Sequence, residues 1–219
     1  MSRSKRNRAI LLTAALLALL PLLAACGSGG GAAATGSDGG EAGGASAAGT
    51  GKDGAIHVVT TIAQIAEPLS VIGGDRVRVE SLMGPGVDPH LYQASQGDIR
   101  KLGSADAVFY NGLHLEANMT RAFDSIGKSR PALAVGETIA QDRLLTDETG
   151  AVDPHIWFDI DLWKDALAAA VEELKKLSPD DAAYFEANRR DYFAKLDELK
   201  EEAVAKMSSI PEERRGLVT

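Results

Sequence analysis

The tripeptide Asp-Pro-His is written twice, in "GPGVDPHLY" (residues 84–92) and in "DPHIWFD" (residues 153–159). With 8 Pro and 4 His in 219 residues, random order would give about 0.15 Pro-His pairs, so two pairs, each preceded by Asp, point to one shared task. Proline fixes its own φ and restricts the residue before it, so each motif presents its histidine, His90 or His155, from a stiffened loop. A metal ion favours such a donor, because a neutral imidazole nitrogen is a good ligand for Zn, Mn, Fe or Cu. Asp88 and Asp153 are placed to orient the rings or add an oxygen donor. A lone loop histidine is more often hydrogen-bonded to backbone. The pairing of the motifs argues against that reading here, yet two histidines make only half of a four- to six-coordinate site.

Those loops need a scaffold, and the hydrophobic pattern supplies one. Strands are predicted at "IHVVTT" (56–61), "VRVESLM" (77–83), "DAVFYNG" (106–112) and "ALAV" (132–135). Helices are predicted at 63–74, from a Ser95 cap through about Leu102, near 117–126, and at 162–177, where Asp159 and Asp161 are candidate caps. Alternating β and α elements imply an α/β fold, a mostly parallel sheet with helices on both faces. Ligands in such sheets sit beyond the carboxyl ends of the strands, where the first Asp-Pro-His loop and Asn111-Gly112-Leu113 both fall.

Ser178-Pro179-Asp180 then starts a long helix, predicted over about 180–207 and roughly 42 Å in length. Its apolar stripe, Phe185, Tyr192, Leu196, Leu199, Ala203 and Met207, predicts one face packed on protein. Pro211 ends it, and Gly216-Leu217-Val218-Thr219 reads as a strand just beginning, as in a fragment of a longer chain.

The first 25 residues read as a secretory leader: Arg3, Lys5, Arg6 and Arg8 precede an apolar run from Ala9 to Ala25. The "LLAAC" that closes it resembles a bacterial lipobox, which makes Cys26 the expected lipidation site. Cys26 is also the single cysteine, so the folded part can hold no internal disulfide. From there to Gly54 the chain is mostly Gly, Ala, Ser and Thr, a tether with a typical reach of about 29 Å. Without the leader's four basic residues, the 23 Lys and Arg and 31 Asp and Glu leave a net charge of −12. So acidic a body argues against nucleic-acid binding and against electrostatic adhesion to anionic lipid.

Three motifs in this order, "MGPGVDPHLYQASQGDIRKL", "FYNGLHLEANM" and "DPHIWFD", followed by the long helix, resemble the metal-binding solute-binding lipoproteins of manganese, zinc and iron ABC transporters. The resemblance covers Ile56 to Thr219. It implies an N-terminal metal-binding lobe over residues 55–177, an interlobe helix over 178–209, and the start of a second α/β lobe at 210–219. It implies that His90 and His155 bind the metal. A third ligand, His or Glu, and a later Asp belong to the family's second lobe, beyond Thr219. "NGLHLE" resembles the manganese or mixed-metal branch, and the long His-rich loop of many zinc-specific relatives is absent, which favours Mn²⁺ over Zn²⁺ or Fe²⁺. The family gives His114 no ligand role; His114, Glu116 and Asn111 are expected to position the loop, and His57 to make no metal contact.

The expected function is therefore that of an extracytoplasmic receptor, not an enzyme. A lipid-anchored monomer on the outer face of the cytoplasmic membrane would capture a divalent cation and deliver it to an ABC permease. Two alternatives carry less. A metallohydrolase would need a base such as Glu67 or Glu116, without an H-E-x-x-H helix or other supporting motif. A surface adhesin would make no use of the paired loops.

Overall fold

The computed structural model describes residues 54–216. The leader, Cys26, the tether before Gly54 and the Leu217–Thr219 part of the last predicted strand lie outside them.

Four short strands, β1 (Ile56–Thr60), β2 (Val77–Ser81), β3 (Ala107–Tyr110) and β4 (Ala132–Ala134), form one sheet in the order β2-β1-β3-β4. All three pairings are parallel, with Val58 opposite Val79 on one side and Ala107 on the other. Strands covered on both faces cannot alternate polar and apolar residues, and β1 and β3 are almost wholly buried.

The helices are α1 (Ala63–Gly73), α2 (Gln96–Ser104), α3 (Thr120–Ile126), α4 (Ile160–Leu177) and α5 (Ala182–Ser208). Right-handed crossovers from β1 to β2 and from β2 back to β3 run in opposite directions, so α1 and α2 fall on opposite faces. Accordingly α1 packs with α4 and α5 while α2 packs with α3. The α/β expectation holds, with helices on both faces. Ile65, Leu69 and Ile72 of α1, Leu167 and Leu174 of α4 and Phe185 of α5 bury their side chains in the core with Val58 and Phe109 of the sheet.

Local signals explain most element ends. Ser95 caps α2 in a reciprocal box with Asp98: the Asp98 N–H donates to Ser95 Oγ at 3.2 Å and the Ser95 N–H to Asp98 Oδ2 at 2.8 Å. Asp159 caps α4, accepting from the N–H groups of Asp161 and Leu162. Asp161 is no cap; its carboxylate instead accepts from Lys200 Nζ, because it already lies inside the first turn and faces α5. The segment predicted as one helix near 117–126 opens with a 3-10 turn, Ala117–Met119, before α3 begins.

The long helix departs from its expected packing in one respect. Phe185 is buried and Tyr192 and Leu196 are partly so, but Leu199 is 52% and Met207 56% exposed. Asn188 Nδ2 donates to Ile72 O at 2.9 Å and Tyr192 Oη to Glu67 Oε2 at 2.7 Å, tying the helix's first half to α1. Lys164–Asp197, at 2.6 Å, and Lys200–Asp161 tie it to α4. Beyond Lys200 the 27-residue helix, about 40 Å long, outruns the elements it packs on.

Candidate metal centre

Both Asp-Pro-His loops lie at the carboxyl edge of the sheet, and they are built alike. Asp88 Oδ1 accepts from the His90 N–H at 2.9 Å, and Asp153 Oδ1 accepts from the His155 N–H at 2.9 Å. Each motif is thus an Asx turn around its proline, the conformation that short acidic side chains favour. The two turns bring the rings together: His90 Nε2 lies 3.3 Å from His155 Nε2, with ring centroids 5.3 Å apart and planes at 59°.

That spacing has chemical content. Two nitrogens bound about 2.0–2.1 Å from one tetrahedral ion stand about 3.3–3.4 Å apart, so the separation of these two donors matches that of two ligands sharing one ion. Among the described residues no group of three or more His, Cys, Asp or Glu side chains could hold a metal ion, so the pair offers two donors and an open side.

The supports of the two rings differ. Asp153 Oδ1 reaches the His155 ring as well as its backbone, with Nδ1 at 2.6 Å, so Nε2 is left as the free donor. The His155 N–H holds the Asp153 carboxyl below its ordinary value against the opposing effect of burial, with a smaller contribution from the His155 ring. Asp88 bonds the backbone of His90 and not its ring, so its expected role in orienting the ring reduces to shaping the turn.

Asn111 and Glu116 work from beneath. Asn111 is fully buried, and its Nδ2 donates to Pro154 O at 2.9 Å, fixing the peptide that leads into His155. Glu116, also buried, accepts from Thr61 Oγ1 at 2.6 Å and from the Asn111 and Gly112 N–H groups at 2.9 and 3.1 Å. Burial raises its pKa despite those donors. This carboxylate ties the end of β1 to the loop after β3. Gly112 takes φ +75°, and a Cβ there would lie 2.8 Å from that of Ala134, so the loop accepts no larger residue.

His114 is exposed in a left-handed conformation, φ 66°, and the clefts it lines contain neither His90 nor His155. His57 lies toward the amino end of β1, its Nε2 3.8 Å from Glu80 Oε2, remote from the paired loops. Two contributors had no assigned role in the sequence analysis. Asn118 Nδ2 reaches the carbonyls of His90 and Tyr92 at 3.4 Å each, and Trp157 packs edge-on to His155 with centroids 5.3 Å apart. The "NM" after Glu116 and the "W" after the second motif carried no signal of spacing, only of proximity to it. A cavity of about 360 Å³ opens beside His155, bounded by Asp153, Arg143, Leu145 and Phe158 among others.

Comparison with known proteins agrees with this architecture. The family described as ZnuA, zinc-uptake complex component A, periplasmic, matches residues 58–219. The chain belongs to this family. A ZnuA-family relative, the zinc-binding protein TroA of Treponema pallidum, is 45% identical over 167 residues, which cover 76% of this chain and 54% of TroA. The manganese-binding lipoprotein MntA of Bacillus subtilis is 43% identical over 173 residues, 78% of this chain and 56% of MntA. The solved structure of periplasmic TroA superposes with a TM-score of 0.72 at 44% identity, over 74% of this chain and 58% of that one. The chain thus spans little more than half the length of the relatives it matches. Among the described residues no helix is long and apolar enough to cross a membrane.

Proposed function

We propose that this chain is the metal-binding lobe of an extracytoplasmic receptor that captures a divalent cation and delivers it to an ABC permease. The carrying observation is the convergence of two Asx-turn histidines at 3.3 Å between Nε2 atoms. His90 and His155 are the ligands; Asp153 orients one ring, Asp88 shapes the other turn, and Asn111 and Glu116 brace the loops. Capture needs no general base or nucleophile, which is why the reading is of a receptor and not an enzyme. Lipidation at Cys26 and a tether to Gly54 would hold the lobe near the outer face of the membrane.

Family membership supports the metal as cargo, with Mn²⁺ and Zn²⁺ as the candidates. The "NGLHLE" resemblance favours Mn²⁺. The tetrahedral spacing of the two nitrogens suits Zn²⁺, and intrinsic affinities also rank Zn²⁺ above Mn²⁺.

Calorimetric titration of the 219-residue chain with Zn²⁺ and with Mn²⁺ tests the reading. His90→Ala and His155→Ala should each lower affinity at least about tenfold. Unchanged binding in both variants would sink it. Binding should also weaken in acid, because a ligand imidazole must be neutral.

A further inference from the structure

Hydrogen bonds shape each turn and brace it from residues 111–118, but the spacing of the two imidazoles also needs a link from one loop to the other. Among the described residues, hydrogen bonds join residues 84–92 directly to residues 153–159 at one place only, the His90–His155 contact itself. The base of the first loop is tethered to the end of the neighbouring strand β1, through Leu82 N–H to Thr60 O and Met83 N–H to Thr61 O at 2.9 Å, and the loop itself to Asn118 by two long bonds. Residues 84–88 and His90 are exposed, so little core packing restrains them.

Trp157 borders the gap between the loops. Two residues after His155, it stands edge-on to that ring at 81° and 5.3 Å. It also lines a cavity of about 110 Å³ whose other walls include Met83, Gly84, Pro85, Val87 and Pro89 of the first loop. One rigid aromatic body therefore packs on the second ring and faces, across that small cavity, the loop that carries the first. A tryptophan suits this task because its large face spans two elements while only two side-chain torsions need ordering.

We propose that Trp157 is a positioning residue that couples the two Asp-Pro-His loops and sets the distance between His90 and His155. Its indole holds His90 within reach of an ion bound at His155 without touching the ion. The inference rests on metal capture by the two histidines, and its test separates the two ideas.

Zn²⁺ affinity of the full chain is measured by competition with a chromophoric chelator for three residues at position 157, each with and without His90→Ala. Wild type and Trp157→Phe, which keeps an aromatic wall, should bind within a few-fold of each other. Trp157→Ala should bind about 10- to 100-fold more weakly, the range for losing a group that orients a ligand. In the Trp157→Ala background His90→Ala should cost little more, since His90 has already left the ion. Wild-type affinity in Trp157→Ala would overturn the coupling role. So would a His90→Ala loss of equal size in both backgrounds, which would mean Trp157 acts through His155 alone or through general stability. If His90→Ala is silent in the wild-type background, metal capture itself fails. Should Trp157→Ala not fold by circular dichroism, Trp157→Leu carries the same comparison, as it keeps apolar bulk but loses the indole's reach.

Discussion

At the scale of single residues, the two Asp-Pro-His motifs are equal in sequence and unequal in structure. Asp153 engages both the backbone and the ring of His155, whereas Asp88 engages the backbone of His90. Replacing Asp153 by Ala should therefore weaken metal binding about 10- to 100-fold, and Asp88→Ala by clearly less. Asp153→Asn should fall between, because an amide oxygen can still accept from the backbone but not hold the ring by charge. Titration of the three variants with Zn²⁺ checks the order; equal losses for both Ala variants would show the ring contact to be idle. Glu116 makes a second case. Its truncation leaves the Thr61 hydroxyl and two backbone N–H groups without their acceptor in a buried place. Each such orphan costs about 1–3 kcal/mol, so Glu116→Ala should lower unfolding free energy by at least about 2 kcal/mol in urea titration.

At the scale of elements, tight approach of the β3 and β4 ends shapes the ledge under the paired histidines. The N–H of Gly136 donates to Asn111 O at 2.8 Å, and a Cβ on Gly136 would sit 2.7 Å from that same oxygen and 2.8 Å from Leu113. Gly136→Ala must push the 111–113 loop outward, an overpacking worth about 1–3 kcal/mol, and should weaken metal binding through Asn111's hold on Pro154. A melting curve and a Zn²⁺ titration on the same sample would check both effects. Much of this level was legible beforehand. The β-α alternation, the Ser95 cap and the Asp159 cap each rest on local chemistry that a short window contains. The paired motifs pointed to two histidines that meet, at the candidate site, for the same reason. What could not be read was long-range: Asn111 is 43 residues from Pro154 in sequence, Thr61 is 55 from Glu116, and no spacing rule links them. The packing of α5 was misjudged because a stripe's periodicity says that a face is apolar, not how far its cover extends.

At the scale of the whole molecule, the acidic surface gives stability a direction in pH. Six carboxyls, Glu80, Asp98, Asp147, Asp153, Asp161 and Glu186, are held below their ordinary values, through Lys101, Ser95 with Tyr92, Thr149, His155, Lys200 and Arg189 respectively, with burial opposing. The unfolded chain binds their protons more readily, so their stabilisation is complete above about pH 4.5 and is lost as pH falls further through the folded values. Glu116, raised by burial, works in the opposite sense, but it is one against six. Urea midpoints should fall steeply between about pH 4.5 and 2.5. A midpoint flat across that range would count against these pairings. Stability is also uneven along the chain. Residues 201–209 are all exposed, so amides late in α5 should exchange with solvent much faster than those near Phe185, by hydrogen-exchange mass spectrometry.

The two facing imidazoles belong to residues 65 positions apart. An ion gripped by both would staple a long span of polypeptide shut, as a disulfide does, in a chain whose one cysteine can form no such bridge within it. Such a staple closes only once the sheet has assembled, so cargo loading should slow unfolding far more than it speeds folding. It would also be reversible: loss of the ion would open the staple, so resistance to proteolysis should gauge whether an ion is bound.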